Sequence, residues 1–331
     1  MRRRRGFSKK RIIFPLIILF VCFSVGYSAF ETNINLNAKG NIKEKSRVIQ
    51  SFDEFTDTDF HTSFYKANIQ TITFLDTNTV PSNAVEFWDV SQAKDKGVMA
   101  YVLENNGMYD LYIGAKNGVV ANMDTNWLFY NFTGVKKINF NGNFDTSNVR
   151  SIDAMFCLCI SLEELDLSDF DTSNVTSMSK MFMGNISKPL IIKKIIFSEK
   201  FKTSNVKYMQ AMFGNCINLT ELDLSMFDTS NVVDMHDMFS GCYSLTNIDL
   251  SNFNTSNVTI MSGMFYSNKS LESLNLCSFD TLNVTNMNVM FTNSLNLKTI
   301  YVSDKWNMEN ASTSNMFDGA GVSSVTTGKC G

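Results

Sequence analysis

The sequence predicts an α/β solenoid, a stack of strand-plus-helix units with a parallel sheet, preceded by a small, mainly β module. A phrase close to Phe-Asp-Thr-Ser-Asn-Val recurs in steps of 26, 31, 26, 26, 26 and 27 residues, and each copy is followed by methionines and then Met-Phe. A fixed period of this size is typical of solenoids, because each unit is too small to bury its apolar face without a neighbour. The phrase begins at Phe144, Phe170, Phe201, Phe227, Phe253 and Phe279, with Trp306 in the seventh position.

The N-terminus predicts an export or anchor segment. Residues 1–11 form a basic head with seven Lys and Arg, and residues 12–30 contain no charge and are mostly Ile, Leu, Phe and Val. Flanking cations keep a head of this kind in the cytoplasm and direct the rest of the chain outward. Small residues near the end of the segment permit cleavage as a signal peptide, and an uncleaved membrane anchor fits equally well. We therefore expect an exported chain, membrane-anchored through residues 12–30 or secreted after cleavage.

The rest of the chain is acidic. The net charge of the whole chain is -3, but beyond residue 30 there are 22 basic against 32 acidic residues. Nucleic-acid binding needs a basic surface, so the composition argues against a nucleic-acid partner.

A non-repeating module is predicted between the leader and the repeats. Residues 31–47 are polar and predict a stalk or one edge strand, and residues 48–120 predict the mainly β module. Within it, Val98 to Glu104 and Met108 to Ala115 alternate apolar and polar residues around Asn105-Asn106-Gly107. Asn-Gly supplies the positive φ that tight hairpin turns require, so these segments predict a hairpin. The repeats are expected to occupy residues 126–331, about seven units with atypical ends.

Each central unit combines two periodicities. In the segment from Leu219 to Leu224, the order L-x-x-L-x-L places Leu222 and Leu224 inward, as in a strand. The following apolar residues lie at helical spacing, which predicts a helix, and residues 228–231 offer short polar side chains that cap helix N-termini. Those helical positions are Val232, Met235, Met238 and Phe239. The unit is therefore leucine-rich-repeat-like.

Stacking of the units predicts a parallel sheet about seven strands wide, roughly 30 Å across. Its outward column is the candidate partner-binding face, because solenoids present extended surfaces to partners. A polar strand face that serves only solubility explains the same column. The column contains Asn139, Asp166, Ile196, Asp223, Asp249, Asn275 and Tyr301.

Cysteines and histidines give little sign of chemistry. Cys159, Cys216 and Cys242 share one repeat position and are expected to be buried thiols. A disulfide between two of them is an alternative in an exported protein. His61 and His236 lie far apart in sequence, and the sequence has no phosphate loop or metal-ligand motif. We predict no catalytic residue, no metal and no cofactor.

The repeat resembles a known group of proteins. The pattern F-D-T-S-N-V-x-x-M-x-x-M-F-x-x-C-x-x-L-x-x-L-D-L-S, most complete from Phe227 to Ser251, resembles the 26-residue repeat of the BspA-like leucine-rich repeat group of bacterial surface proteins. The stretches Ser82 to Ser91 and Leu111 to Gly114 resemble the module that often precedes such repeats. The resemblance implies an exported bacterial protein with roles in adhesion, and it carries no catalytic residues.

These observations predict a bacterial cell-surface protein that acts as a binding or adhesion scaffold for a host or neighbouring-cell protein or glycan. One alternative is a structural spacer that displays the 48–120 module as the binder. A remote alternative is a surface hydrolase, which would depend on His61.

Overall fold

The computed structural model describes residues 33–36, 42–328 and 330. The predicted basic head, 1–11, and the predicted leader, 12–30, lie outside these residues. The chain divides into two compact units, Met1–Lys45 and Ser46–Gly331. In the first unit β1 and β2 form an antiparallel pair. None of the helices within the described ranges has the length and apolar character needed to cross a membrane.

The described residues form short strands and one short α-helix. A single 3-10 turn occupies Phe52–Glu54, and the α-helix, α1, occupies Ser63–Asn68. The strands are β1 (Asn33–Leu36), β2 (Ile42–Lys45), β3 (Ile69–Leu75), β4 (Glu86–Asp89), β5 (Val98–Asn105), β6 (Met108–Ala115), β7 (Val119–Val120), β8 (Lys137–Asn139), β9 (Phe144–Asp145), β10 (Glu164–Asp166), β11 (Lys194–Ile196), β12 (Ser273–Leu276), β13 (Thr299–Val302) and β14 (Thr326–Thr327).

The largest sheet has five strands in the order β4-β5-β6-β3-β8. The hairpin predicted between residues 98 and 115 is confirmed, because β5 and β6 pair antiparallel from Val98↔Ala115 to Asn105↔Met108. Its two central residues, Asn106 and Gly107, have φ of 53° and 78°. Positive φ at both positions is the requirement of a type I′ turn, so the local sequence determines this register.

The five-stranded sheet joins the 48–120 module to the first repeat. β8 belongs to the repeats, yet it pairs in parallel with β3, with Thr73 opposite Asn139. Both segments also contribute to one hydrophobic core within Ser46–Gly331. The boundaries at 120 and 126 stay predictions, but any cut between them would remove a strand from this sheet.

Successive repeats lie side by side. Isolated parallel bridges join the same position of each repeat to the next, for example Ser177 to Tyr208 and Tyr208 to Asp234. Phenylalanine rings at the Met-Phe position stack between neighbours, with centroids 5.6 to 5.9 Å apart. The predicted burial of the methionine and phenylalanine stripe is confirmed, since Met235, Met238 and Phe239 are fully buried.

The predicted α/β fold class, a solenoid of strand-plus-helix units with one parallel sheet, is wrong. The regular structure of the described chain is nearly all β, with 3% of residues in helices and 22% in strands and isolated bridges, and the strands form several small sheets. In the repeats, β10 pairs only with β11, and β12, β13 and β14 form a separate sheet. Residues 221–224 and 247–250, which were expected to be central strands of the sheet, lie outside all strands.

The physical reason is a left-handed backbone at two positions of almost every repeat. In the repeat that begins at Phe201 these are Ala211 and Asn215, with φ of 50° and 57°. A helix requires negative φ throughout, so each such residue ends the helical turn before it. What remains are single turns, such as the bond from the N–H of Met212 to the carbonyl of Met209. The turns recur with a period close to three, which produces the apolar spacing that predicted a helix.

The polar phrase connects repeats to one another. Thr229 Oγ1 donates to the carbonyl of Asn254 at 2.9 Å and accepts from its N–H at 2.8 Å, while Asp228 Oδ1 accepts the N–H of Ser230. Asn257 Nδ2 donates back to the carbonyl of Ser230. The predicted helix-capping role of residues 228–231 is therefore wrong. The threonines that donate across repeats in this way are Thr146, Thr172, Thr203, Thr229, Thr255 and Thr281.

The predicted buried thiols are confirmed. Cys159, Cys216 and Cys242 are free and fully buried, and their Sγ atoms donate to carbonyls of the preceding repeat. Burial raises the pKa of Cys242 to about 12. The disulfide in the structure, between Cys277 and Cys330, was not predicted.

Candidate binding surface

The predicted binding column lies on the side of the strands that faces away from the core. Asp166 is opposite Ile196 in the β10–β11 pair, and Asn275 is opposite Tyr301 in the β12–β13 pair. Asn139, however, pairs with a residue of β3 rather than with the next repeat. Asp223 and Asp249 are exposed and lie outside the strands. The structure therefore brings parts of the column together but does not form one continuous sheet from it.

Four members of the column have a local structural role. Oδ1 of each accepts the backbone N–H two residues later, as in the 3.0 Å bond from Ser225 to Asp223 and the 2.9 Å bond from Ser251 to Asp249. Asx turns of this kind favour Asp and Asn at the end of a strand. Hydrogen bonds from Ser225 and Ser251 lower the pKa of Asp223 and Asp249 respectively. The four residues are Asp166, Asp223, Asp249 and Asn275.

This local role could have been found in the sequence. Wherever the order is L-D-L-S, the serine lies two residues after the aspartate, which is the Asx-turn spacing. The repeated Asp at this position is therefore explained by the turn that its side chain stabilises as well as by its exposure to solvent. Asn139, Ile196 and Tyr301, which depart from the L-D-L-S order, are the members whose identity the Asx turn does not explain.

An open cleft lies where the column begins. β8 ends the five-stranded sheet, β10 begins the next one, and the two neighbouring strands do not pair in the described structure. The space has a volume of about 660 Å³, and we call it the β8–β10 cleft. Three predicted residues line it, namely Asn139, Asp166 and Ile196. Its other lining residues are Lys136, Lys137, Ile138, Phe140, Asn141, Glu163, Glu164, Leu165, Ser168 and Asp169.

Two of the cleft carboxylates are paired with lysines of the next repeat. Glu163 accepts from Lys193 Nζ at 2.6 Å, and this bond lowers the pKa of Glu163. Asp169 lies 4.0 Å from Lys200 Nζ. Among the described residues, Glu164 and Asp166 form no ion pair. The cleft thus presents carboxylates, amides and lysines between two neighbouring strands.

His61 lies in the core of the 48–120 module and not in the cleft. Its Nε2 is 2.8 Å from the carbonyl oxygen of Leu128 and its Nδ1 is 3.3 Å from Asp59 Oδ1. Burial among aromatic rings lowers its pKa, which favours the neutral ring. The carbonyl oxygen of Leu128 can only accept a hydrogen bond, so the ring proton lies on Nε2. In later repeats, the equivalent carbonyl accepts a backbone N–H from the preceding unit, as when Phe213 donates to Met238. His61 supplies that hydrogen bond where no preceding unit exists.

His236 and the acidic side chains do not form a chemical centre with His61. His236 Nδ1 is 2.9 Å from Asp234 Oδ1, and this hydrogen bond raises the pKa of His236. In the part of the chain that the structure describes, no three His, Cys, Asp or Glu side chains are grouped so that they could hold a metal ion.

The fold and the cleft define a repeat protein in which a β module and stacked short units share one core. The chain belongs to the family described as "Mycoplasma protein of unknown function, DUF285", whose model matches residues 122–221 and 215–327. These two matches cover the repeats from just before the first to the last. No curated protein and no solved structure matches the chain.

Proposed function

We propose that this chain is a bacterial cell-surface protein of the BspA-like leucine-rich repeat type that binds a protein or glycan partner through the β8–β10 cleft. The observation that carries the proposal is the position of the cleft. It opens on the outward face of the strands and is lined by Asn139, Asp166 and Ile196. The family description assigns no function, so membership supports the repeat character and not the activity.

The chemistry of the cleft favours binding of a polar partner. Glu164 and Asp166 offer carboxylate oxygens, and Asn139 and Asn141 offer amides that both donate and accept. Concave sites that combine apolar walls with a few convergent polar groups are the usual form of ligand sites. Elsewhere in the column, Asp223 and Asp249 are exposed and accept in Asx turns.

Export of the chain is part of the proposal. The apolar segment 12–30 is the sequence feature that supports it, and the disulfide between Cys277 and Cys330 is the structural feature. Disulfides form and persist in oxidising compartments. In cells that produce the chain natively, Cys277 and Cys330 should resist alkylation until a reductant is added. Alkylation of both cysteines without reductant in surface-exposed protein would contradict this part of the proposal.

The cleft is tested by removing charge without removing the turn. In Asp166→Asn the amide oxygen still accepts the N–H of Ser168, so the Asx turn is kept while the carboxylate is lost. We combine it with Glu164→Gln and screen the full-length chain, purified in mild detergent, against matrix proteins, epithelial cells, bacterial surfaces and glycan arrays. For any ligand that the unmodified chain binds, we expect the affinity of the double variant to be at least about tenfold lower, because hydrogen bonds to charged groups are lost.

The matched control is Asp249→Asn, which makes the same chemical change at the same repeat position outside the cleft. It should leave affinity within about twofold of the unmodified chain. Equal losses in the cleft variant and the control would contradict binding in the cleft. Absence of any ligand across the whole screen would count against the binding function itself.

A second candidate function is the structural spacer that displays the 48–120 module as the binder. Phe87 and Val85, at and just before β4, are large apolar side chains that are 61% and 49% exposed. Exposed apolar groups close together are typical of interaction sites. If Phe87→Ala abolishes binding while the cleft variant has no effect, the spacer function is the better description.

A further inference from the structure

The outward face of the five-stranded sheet continues the candidate surface away from the repeats. The strand register places Phe87 opposite Tyr101, Tyr101 opposite Tyr112, Tyr112 opposite Thr73, and Thr73 opposite Asn139. Residues in register point to the same side of a sheet, so these five form one line across it. We call them the cross-strand row. Four strand spacings of about 4.8 Å give a length of roughly 19 Å, and the row ends at Asn139, in the lining of the β8–β10 cleft.

The cross-strand row changes from aromatic to polar along its length. Phe87 is largely exposed at one end, and the rings of Tyr101 and Tyr112 stack at 5.1 Å with an interplanar angle of 15°. Toward the cleft, Asn139 Nδ2 donates to Thr73 Oγ1 at 3.2 Å. On the opposite face, the central strands place Ala100, Ile113 and other apolar residues in the core. The row therefore lies on the side of the sheet opposite the core. Phe87 is exposed, Tyr101 is buried with 8% exposure, and the other three members are half-buried.

The cross-strand row carries no charge. It contains one phenylalanine, two tyrosines, one threonine and one asparagine. Burial raises the pKa of both Tyr101 and Tyr112, so their hydroxyls stay protonated at neutral pH. A tyrosine or threonine hydroxyl and an asparagine amide can each donate and accept hydrogen bonds.

We infer that the cross-strand row and the β8–β10 cleft together bind a neutral glycan chain. A sugar ring has an apolar C–H face, which an aromatic ring such as Phe87 can cover, and an edge of hydroxyls, which Thr73 and Asn139 can pair. Glu164 and Asp166 in the cleft then accept from hydroxyls of the last units, as charge-assisted acceptors. The length of the row suits several sugar units in an extended chain. This inference rests on the proposed function and names the partner class for it.

Charge and apolar area argue against other partners. The four carboxylates of the cleft lining are matched by two lysines in the lining, Lys136 and Lys137, and by two ion-pair partners from the next repeat. The cleft therefore has no net charge that would attract a polyanion such as a sulfated glycan. A protein interface of standard size has a buried apolar centre with several large anchors. Along the outward face of the five-stranded sheet, Phe87 and Val85 are the large apolar side chains exposed by at least a third in the described structure.

The inference is tested by calorimetry of the full-length chain in mild detergent with maltohexaose, cellohexaose, mannohexaose and chitohexaose as neutral probes and heparin as the anionic probe. We expect at least one neutral probe to bind and heparin not to bind. Phe87→Ala should weaken binding of that probe about tenfold or more, because the apolar face of a sugar loses its platform. Asn139→Ala should weaken it severalfold, and thermal melts would establish that each variant is folded.

The matched control is Phe64→Ala. Phe64 lies in α1, is 54% exposed and packs against Tyr65 and Tyr109, outside the cross-strand row. It should leave affinity unchanged within about twofold. Equal losses in Phe64→Ala and Phe87→Ala, or binding of heparin alone, would overturn the inference.

The outcomes also separate this inference from the proposed function. If no neutral probe binds but a protein ligand does, and the Glu164→Gln, Asp166→Asn variant loses that ligand, the glycan inference fails and the proposed function stands. If neither glycan nor protein binds, both fail. If a neutral probe binds and both Phe87→Ala and the cleft variant weaken it, the row and the cleft form one site.

Discussion

The 48–120 module and the repeat region, residues 122–327, use the same core in different ways. In the module, β5 and β6 are eight residues long and their backbone ladder fixes the register. In the repeats no strand exceeds four residues, and neighbouring units are joined by alternate backbone bonds and by the side chains of the polar phrase. The module is thus held by strand pairing, and the repeats are held by side-chain ladders.

The difference explains why the repeated phrase varies so little. A strand tolerates many residues on its outward face, because the backbone makes the hydrogen bonds. Thr229, by contrast, replaces a missing backbone pair with its own hydroxyl, and Phe239 stacks on a ring above and a ring below. Repeat arrays of this kind depend on nearest-neighbour interactions, so each copy of the phrase stabilises two interfaces.

The largest test of this comparison is Phe239→Ala. The ring is fully buried and stacks with Phe213 at 5.7 Å and Phe265 at 5.8 Å. We expect the free energy of unfolding to fall by about 3–5 kcal/mol, the usual range for deletion of a buried phenylalanine ring. Denaturant unfolding followed by circular dichroism measures it.

The control for the ring stack is Phe317→Ala at the last described unit. Phe317 stacks on one neighbour, Phe291, and is only partly buried, so its loss should cost about 1–2 kcal/mol. Equal costs at the two positions would show that stacking on both sides adds nothing.

The second test is Thr229→Val, which keeps the shape of the side chain and removes its hydroxyl. The N–H and C=O of Asn254 then lose their cross-repeat side-chain partner; Thr229 is fully buried, whereas Asn254 is exposed. We expect a cost of about 1–3 kcal/mol, since two hydrogen bonds that each contribute about 0.5–1.5 kcal/mol are lost. Thr259→Val is the control, because this exposed threonine makes a single 3.1 Å bond to Val233, and its cost should stay below about 0.5 kcal/mol. A small cost at Thr229 would contradict the ladder interpretation.

Sequence reasoning succeeded where local chemistry decides the backbone. Asn106-Gly107 imposes a type I′ turn, and β6 therefore has the bounds that were predicted. The burial pattern of the repeats was also correct, because period-three turns and helices bury nearly the same positions. The backbone conformation of the repeats was predicted wrongly, although the sequence contains a signal for the left-handed positions. In five repeats the second residue after the repeat phenylalanine is Asn or Gly, the types that tolerate positive φ, whereas Leu158 and Ser267 adopt positive φ at the same position without that signal. The five are Asn131, Asn215, Gly241, Asn293 and Gly319.

The binding surface was less accessible to sequence reasoning. The β8–β10 cleft lies between two sheets, because β8 pairs with β3 through one edge and does not pair with β10 through the other. The pairing of β3 with β8 joins residues more than 60 positions apart, which local sequence patterns do not reveal. The cross-strand row depends on the order of five strands, which a repeat pattern does not encode. The Cys277–Cys330 pair was missed for a similar reason, since neither cysteine occupies the repeat position of the buried thiols.

The third test concerns the boundary between the two regions, where His61 takes the place of a preceding repeat. His61→Ala removes the partner of the buried carbonyl of Leu128 and should cost about 2 kcal/mol. His61→Gln keeps an N–H donor and should cost less. Similar costs for both variants would contradict the hydrogen-bond role and leave only ring packing.

The pH dependence of stability gives a second test of His61 as a neutral hydrogen-bond donor. Burial lowers the pKa of His61, so the folded chain holds it neutral where the unfolded histidine, near 6.5, begins to bind a proton. The contribution of neutral His61 to the free energy of unfolding is fully present above about pH 6.5. It is lost as the pH falls, first through the pKa of His61 in the unfolded chain and then through its lower pKa in the folded chain. Asp234 raises the pKa of His236, so His236 contributes more to stability at low pH than at high pH. This contribution is the same in the unmodified chain and in His61→Gln, so it cancels when the two are compared. We expect the melting temperature to fall less between pH 7.5 and pH 5.5 in His61→Gln than in the unmodified chain.

The smallest expected effect is a gain in stability within the repeats. Val289 has a φ of 52° at a position where other repeats have Gly263 or Asn315. A β-branched residue is strained there, at a cost of about 1–3 kcal/mol, whereas Asn tolerates this conformation. Val289 is only half-buried, so Val289→Asn gives up little apolar burial, and we expect it to raise the free energy of unfolding by about 0.5–1 kcal/mol. The reverse change, Asn315→Val, should lower it by a similar amount in the same denaturant titration. If Val289→Asn destabilised the chain, side-chain packing and not backbone conformation would determine the stability of the left-handed turns. The contrast between the 48–120 module, stabilised by strand pairing, and the repeats, built from turns, would then need revision.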